Sequence, residues 1–292
     1  MTGRPAGDDL AITLTNVGAD RGKQVRALAG RSARLRAHRF VVEGPQGVRE
    51  AVRFAAASVL DVYLTAAAHA RSPEIAAEAA AAGLRVHGCS PEVADAMSGD
   101  AQGVIAVVGL EFAEGAEIPA APRLVAILAD ARDPGNAGTV IRAADAAGAD
   151  AIILAGESVE ATNPKVLRSS AGSFFHLPVI EGMTLVEAVT AARAAGLRIL
   201  ATDGSGKVEL GDGGANAASL AAPTAWVFGN EARGLAPADL ALGDATVRIP
   251  MYGRAESLNL GAAATLCLFA SASAHRAGED PPARRAGLDA AP

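Results

Sequence analysis

The sequence predicts an α/β protein with two domains, and three observations lead to this prediction. The chain has 292 residues, which is enough for about two domains of ordinary size. Short aliphatic runs that are typical of strands alternate with alanine-rich helical segments. The stretch 111–122 is rich in Ala, Glu and Pro, lacks periodicity and is the predicted linker. We place the first domain at 1–112, the second at 123–275 and a disordered tail at 276–292.

The first domain is predicted to be a small alternating structure. A basic amphipathic helix opens it, and Ser90 with Pro91 forms a capped start for a helix that ends at Met97. The other predicted elements are strands at 39–44, 58–65, 84–87 and 103–110 and helices at 46–56 and 73–82.

The second domain is predicted to contain a parallel sheet. Leu124–Ala129 is a continuous aliphatic run of the kind that is buried on both faces of such a sheet. Further strands are expected at 151–154, 197–201, 225–228 and 245–249, with helices near 137–147, 184–195 and 257–272.

Composition excludes several classes of protein. Aromatic residues make up 3% of the chain, which argues against a stacking platform for single-stranded nucleic acid. Cys89 and Cys267 lie in different halves without CxxC spacing, so we expect two buried, reduced thiols. The histidines lack metal-ligand spacing, which predicts no metal site. No signal peptide and no apolar run of membrane-spanning length is evident, and we expect a cytoplasmic protein.

Charge is distributed unevenly along the chain. The net charge is −6, yet the segment Arg21–Arg39 carries seven basic residues and no acid. A stretch of one sign is a candidate phosphate-contacting surface, although it could also be an ordinary solvated helix face. The candidate RNA contacts in this segment are Arg26, Arg34, Arg36 and Arg39.

Three short segments of the second domain carry the signs of a binding site. They are Asp133–Arg142 (DPGNAGTVIR), Gly229–Leu235 (GNEARGL) and Ile249–Asn259 (IPMYGRAESLN). Each follows an apolar run and combines Gly or Pro with polar side chains, as tight loops at strand ends do. Because ligands bind at the carboxyl ends of parallel strands, one site built from three loops is expected.

The first segment excludes two common nucleotide sites and draws attention to Arg142. Its glycine spacing does not match the dinucleotide-binding fingerprint, and the lysine of a phosphate-binding P-loop is absent. An arginine near a helix N-terminus is locally unfavourable and usually indicates an anionic partner. The alternative is a salt bridge from Arg142 to Asp145 or to another surface acid.

Together with a fourth block, Asn163–Pro178, these segments closely resemble the SpoU-type methyltransferases of the SPOUT superfamily, from about Leu124 to Ala272. The N-terminal domain, including Phe40–Gly44, looks like the L30e-type substrate-binding domain that often precedes them. The resemblance implies a C-terminal α/β knot, in which the parallel sheet is threaded into a trefoil knot. It also implies a homodimer with each active site near the subunit boundary.

The resemblance further implies methyl transfer from S-adenosylmethionine to a ribose 2′-hydroxyl of RNA without a metal. Ribosomal RNA is expected rather than transfer RNA, because the extra N-terminal domain is typical of the ribosomal enzymes. The cofactor would lie among the loops 201–206, 228–234 and 249–259. By position, the family's cofactor contacts fall on Gly229, Ile249 and Leu258, with Thr202, Met251 and Ser257 as neighbours.

Arg142 matches the catalytic arginine of that family. A guanidinium rarely gives up its proton, so we expect Arg142 to clamp a phosphate and to stabilise the developing alkoxide. Asn136 and Asn259 would orient the ribose and Arg142, and Glu231 would fix that arginine or a loop. Arg168, in the fourth block, is a further candidate RNA contact.

One departure from the family and two rival functions remain at this point. After Asn259 the family commonly has Val-Ser, whereas this chain has Leu260 and Gly261, so a hydroxyl is missing. One rival is a catalytically silent RNA-binding or assembly factor of the same fold. The other is an enzyme that acts on a small nucleotide and has an ordinary doubly wound fold.

Overall fold

The structure is a computed structural model that describes residues 10–211 and 220–277. Its N-terminal part is built on a five-stranded sheet, the first sheet, with the order β1-β4-β3-β5-β2. Strand β5 pairs antiparallel with β2 and β3, whereas β4 pairs parallel with β1 and β3. The strands are β1 (Ile12–Leu14), β2 (Arg39–Glu43), β3 (Val59–Thr65), β4 (Val86–Cys89) and β5 (Val104–Gly109), and the helices are α1 (Asp20–Ala27), α2 (Arg31–Ala37), α3 (Pro45–Phe54), α4 (Ala66–Arg71), α5 (Pro73–Ala81) and α6 (Pro91–Met97).

The C-terminal part is built on a seven-stranded parallel sheet, the second sheet, with the order β10-β12-β9-β11-β6-β7-β8. Its strands are β6 (Leu124–Ala129), β7 (Ala151–Ala155), β8 (Val179–Ile180), β9 (Arg198–Thr202), β10 (Val208–Glu209), β11 (Thr224–Phe228) and β12 (Ala245–Arg248), and its helices are α7 (Pro134–Ala147), α8 (Pro164–Ser170), α9 (Leu185–Ala194), α10 (Pro237–Leu240) and α11 (Leu260–His275).

Strand β6 shows how the second sheet is buried on both faces. Leu124 and Leu128 point into one aliphatic core, and Val125 and Ile127 point into another on the opposite face. Trp226 of β11 is fully buried, and its indole N–H donates to Ser271 of α11 at 2.9 Å. This bond satisfies the one polar atom of the indole and fixes α11 against the sheet.

Helix α7, which follows β6, is positioned by its cap and by its contact with α8. Asp133 accepts a hydrogen bond from the backbone N–H of Asn136 at 2.7 Å and caps the helix, and Pro134 occupies its first turn. A Cβ at Gly138 would lie 1.9 Å from Ser169 Oγ. Gly138 therefore allows α7 and α8 to pack closely and is not available to contact a ligand.

The N-terminal and C-terminal parts of the chain are packed against each other through α8 and the segment 173–175. The rings of Phe40 in β2 and Phe174 pack edge to face with their centroids 6.0 Å apart, and the ring centroids of Phe112 and Phe175 are 5.3 Å apart. Ile118 of the predicted linker is partly buried against the core of the second sheet. The stretch 111–122 is thus attached at intervals to the cores of both parts of the chain, although most of its residues are exposed.

The predicted α/β fold with its parallel second sheet is confirmed, with two kinds of local difference. The basic segment forms two helices, α1 and α2, which are separated at Gly30, instead of one helix and its exit. The last helix begins at Leu260 and not at Ser257, because Asn259 caps it. The threading of the sheet into a knot stays a prediction. The predicted tail lies outside the described residues except for Arg276 and Ala277.

Several short elements were not predicted. Strands of two or three residues give no alternation that a sequence could reveal, and the helix α8 falls in a block that we interpreted as a motif. The unpredicted elements are β1, α4, α8, β8, β10 and α10. Within the described residues no helix has the length and apolar character that a membrane span requires.

Candidate active site

A pocket of about 580 Å³ opens at the carboxyl ends of β9, β11 and β12. Its apolar walls are formed by side chains that include Phe228, Val247 and Ala263. The loops after these three strands and the start of α7 supply its polar groups. The pocket therefore lies where parallel sheets bind ligands, and it is lined by all three segments that the sequence singled out together with the loop after β9.

The loop after β11 is tight, and glycine is required in it. A Cβ at Gly229 would lie 2.4 Å from the carbonyl carbon of Gly234. Asn230 and Gly234 exchange backbone hydrogen bonds of 2.8 and 3.2 Å. The Asn230 side chain donates to the backbone oxygen of Asp130 at 2.7 Å, which ties this loop to the end of β6.

A chain of hydrogen bonds joins the three segments at the pocket. Asn259 Nδ2 donates to Asn136 Oδ1 at 2.8 Å, and Asn136 Nδ2 donates to Glu231 Oε1 at 3.3 Å. The same Glu231 oxygen accepts the backbone N–H of Asp133 at 3.3 Å. Asn259 Oδ1 also accepts the backbone N–H of Gly261 at 2.9 Å, so one side chain caps α11 and contacts α7. Asn136 is held from both sides in a single orientation.

All of the residues that we expected around the cofactor line this pocket. They are Thr202, Gly229, Ile249, Met251, Ser257 and Leu258. The Thr202 hydroxyl donates to the backbone oxygen of Val227 at 3.1 Å, so this side chain also fixes β9 to β11. Their binding role stays a prediction.

Arg142 is the predicted catalytic residue that does not join the others. It is exposed on α7, is absent from the pocket lining, and has no hydrogen bond or ion pair to any residue in 10–211 or 220–277. Glu231, Asn136 and Asn259 hold one another and not Arg142, so Glu231 fixes the loop before α7 instead of the arginine. Asp145, the alternative partner, pairs with His176 at 2.8 Å.

The candidate RNA contacts divide into free and paired cations. Arg26, Arg36 and Arg39 are exposed, and none has a side-chain partner among the described residues. The expectation for Arg34 is wrong, because Arg34 is 2% exposed, pairs with Glu160 and donates to the backbone oxygen of Ala29 at 2.9 Å.

The burial of Arg34 follows from the break between α1 and α2 at Gly30. The break turns α2 so that Arg34 points toward the part of the chain that carries the second sheet. Arg168 is also engaged, since it pairs with Glu43 and Asp100 at 2.7 Å each.

Three polar residues of the pocket lie in the predicted cofactor loops but were not assigned a role from the sequence, namely Asp203, Asn230 and Glu256. Asp203 accepts the backbone N–H of Ser205 at 2.8 Å and the Ser205 hydroxyl at 2.6 Å, which shapes the turn after β9. An Asp-Gly-Ser-Gly sequence directly after a strand is a turn signal, and it could have identified Asp203.

The two thiols are buried, as expected, and lie away from the pocket lining. Burial raises the pKa of Cys89 to about 11 and also raises the pKa of Cys267. Among the described residues no group of three His, Cys, Asp or Glu side chains could hold a metal ion.

Comparison with known proteins places this site in a family. The model of the SpoU rRNA Methylase family matches residues 123–269, and the model described as RNA 2′-O ribose methyltransferase substrate binding matches residues 41–111. A 23S rRNA (uridine(2479)-2′-O)-methyltransferase of Streptomyces viridochromogenes is 39% identical over 57% of this chain and 58% of its own length. The chain thus spans little more than half of that relative.

This chain aligns with nearly the full length of two other similar proteins. The 23S rRNA (guanosine-2′-O-)-methyltransferase RlmB of Bordetella pertussis is 30% identical over 79% of this chain and 96% of its own length. A crystal structure described as an AdoMet-bound rRNA methyltransferase from Sinorhizobium meliloti superposes with a TM-score of 0.71 and 28% identity, covering 92% of this chain and 98% of that one. The chain belongs to the SpoU rRNA methylase family.

Proposed function

We propose that this protein transfers the methyl group of S-adenosylmethionine to a ribose 2′-hydroxyl of ribosomal RNA. The observation that carries the proposal is the hydrogen-bonded chain Asn259–Asn136–Glu231 at a pocket that all of the expected cofactor residues line. The relatives named above, which are ribosomal RNA 2′-O-methyltransferases, support the same reaction.

The pocket suits the cofactor in size and in chemistry. Its volume of about 580 Å³ is in the range of sites for ligands of drug size. Phe228 and Leu258 offer apolar surface for a flat ring, and the carboxylates of Asp203 and Glu256 suit a molecule that carries sulfonium and ammonium charge. When bound, the cofactor supplies the electrophilic methyl group.

The chain's own residues would position the acceptor. Asn136 and Asn259 present amide groups in fixed orientations beside the pocket, which suits them to hold a ribose. Glu231 keeps Asn136 and the backbone before α7 in place. Arg142 would act as a clamp on an RNA phosphate and would stabilise the negative charge that grows on the 2′-oxygen as the hydroxyl proton passes to solvent water.

We further propose that the protein is a homodimer and that α11 contributes to its interface. Leu266 and Phe269 of α11 are 47% and 44% exposed, which is unusual for large apolar side chains on a packed helix. Helix α11 lies beside α7, where Thr139 approaches Gly261. A second protomer on this face would lie close to Arg142, which is otherwise outside the pocket. Light scattering should give the mass of a dimer, and Phe269→Asp should reduce it to that of a monomer.

The proposal also covers the RNA substrate and the surface that binds it. Arg26 of α1, Arg36 of α2 and Arg39 of β2 lie outside the pocket, and none has a partner among the described residues, so they provide a surface for the RNA backbone. Ribosomal RNA is the proposed target, transfer RNA is the alternative, and we propose that the protein works in the cytoplasm, where both are found.

The test combines calorimetry with methyl transfer. Titration with S-adenosylmethionine should give saturable heat, and radiolabelled methyl should pass to unmodified ribosomal RNA and not to transfer RNA. Transfer to transfer RNA alone would overturn the substrate, whereas RNA binding without any heat from the cofactor would favour an assembly factor.

A further inference from the structure

A groove next to the pocket, which we call the arginine groove, is not part of the site described so far. It is lined by Arg132, Asp133, Asn230, Glu231, Ala232 and Arg233. Asn230, Glu231 and Ala232 also line the pocket, so the two spaces share a wall. The groove therefore adjoins the pocket along the loop 230–232.

The acids of the groove already have donors within the chain. Glu231 accepts from Asn136 Nδ2 and from the backbone N–H of Asp133, both at 3.3 Å. Asp133 accepts the backbone N–H of Asn136 at 2.7 Å. These carboxylates are held by neutral N–H groups, so they leave the two guanidinium groups of the groove largely uncommitted.

The guanidinium groups of Arg132 and Arg233 have N–H donors that make no hydrogen bond within the described residues. Arg132 is exposed, and its guanidinium has no partner in the described part of the chain. The Arg233 side chain is 66% exposed, and among the described residues its guanidinium pairs with Asp130 Oδ2 at 3.4 Å. A guanidinium carries five N–H donors in a planar fork that matches a phosphate, so the groove offers strong recognition of such a group.

The chemistry of RNA links this groove to the pocket. The 2′-oxygen and the 3′-phosphate are carried by adjacent carbons of the same ribose, so a ribose held at Asn136 brings its own phosphate close by. The arginine groove adjoins the pocket at Glu231, so this phosphate would lie within reach of the groove. We infer that Arg132 and Arg233 form the subsite for the backbone phosphate of the nucleotide that is methylated. This inference rests on the proposed function.

The experiment uses the variants Arg132→Ala, Arg233→Ala and their combination in the full chain. Each single change should raise KM for RNA about tenfold or more with cofactor Kd unchanged, because charge-assisted hydrogen bonds to phosphate are lost. The slope of log binding constant against log salt should decrease in magnitude by about one in the double variant and by less in each single variant, because both arginines neutralise the same phosphate. Arg132→Lys should restore the slope but only part of the affinity, since lysine lacks the planar fork.

Arg193→Ala is the matched control, because Arg193 is exposed on α9 and pairs with Asp244 at 2.6 Å. It should leave both RNA affinity and slope unchanged. RNA affinity and salt slope are measured without cofactor, so they test the subsite even if methyl transfer fails.

Two results would overturn the inference. The first is that the wild type and the double variant have equal RNA affinity and an equal salt dependence of binding. The second is weaker S-adenosylmethionine binding in the double variant, which would assign the arginines to the cofactor carboxylate. A wild type that binds RNA through these arginines but never transfers a methyl group would refute the proposed function alone.

Discussion

The interface between the N-terminal and C-terminal parts of the chain and the rim of the pocket use arginines and carboxylates in different ways. At the interface the cations have carboxylate partners, as in Arg34 with Glu160 and Arg168 with Glu43. At the rim the carboxylate of Glu231 is held by N–H groups, and Arg132 is left to solvent. The difference teaches that an arginine is available to RNA where its guanidinium stays exposed, as in Arg132 and Arg233, and not where the fold buries it against an acid, as in Arg34.

The largest effect is expected at Arg142, a cation without a partner among the described residues. Arg142→Ala should lower methyl transfer about 100-fold or more, because a charge that stabilises the developing alkoxide is lost. Cofactor Kd, measured by calorimetry, should stay near the wild-type value, since Arg142 lies outside the pocket. Unchanged turnover would refute the assignment.

A pair of substitutions in α2 tests the division between paired and free cations. Arg34→Ala should lower the free energy of unfolding by about 2 kcal/mol, because the buried ion pair and the bonds to the backbone oxygens of Leu28 and Ala29 are lost, although Glu160 keeps its exposed partner Arg31. Arg36→Ala should change it by less than about 0.5 kcal/mol, since Arg36 is exposed. Chemical denaturation measures both values.

RNA binding should follow the opposite order in these two variants. Arg36→Ala should weaken binding at low salt, whereas a folded Arg34→Ala protein should bind RNA normally. Equal stability of the two variants would contradict the assignment of Arg34 to the interface.

A smaller effect on stability is expected at Gly261, where the family commonly has a serine. A Cβ at this position would lie 2.7 Å from Thr139 Cγ2, so Gly261→Ser should cost about 1–3 kcal/mol. Thr139→Ala in the same protein should recover most of that loss. Gly99→Ser, where a Cβ would meet nothing within 4 Å, is the control. A stable Gly261→Ser protein would show that the helices α7 and α11 have room to separate.

The smallest effect is expected at the thiols. With a pKa of about 11, Cys89 is a thiolate in only about one molecule in a thousand at pH 8, and Cys267 is shielded in the same way. A thiol reagent should therefore label neither residue in the folded protein and both in denaturant. Rapid labelling of the folded protein would mean that the core opens more often than its packing indicates.

The sequence predicted the pocket better than it predicted the RNA surface, and the reason is physical. Loops at the carboxyl ends of parallel strands must meet at one edge, so Asn136, Glu231 and Asn259 could be brought together without a structure. Arg34 could not be assigned in this way, because its partner Glu160 lies 126 residues away. Their pairing depends on how the N-terminal and C-terminal parts of the chain pack. Gly261 was recognised as a departure, but its reason, the approach of Thr139, needs the contact of two helices.

The position of the transferred methyl group tests the central claim most directly. Ribosomal RNA treated with the protein and S-adenosylmethionine carrying a heavy methyl isotope should be digested to nucleosides and analysed by mass spectrometry. The account predicts the heavy label on the ribose of a single 2′-O-methylated nucleoside. A label on a base, or no label although the cofactor binds, would contradict it.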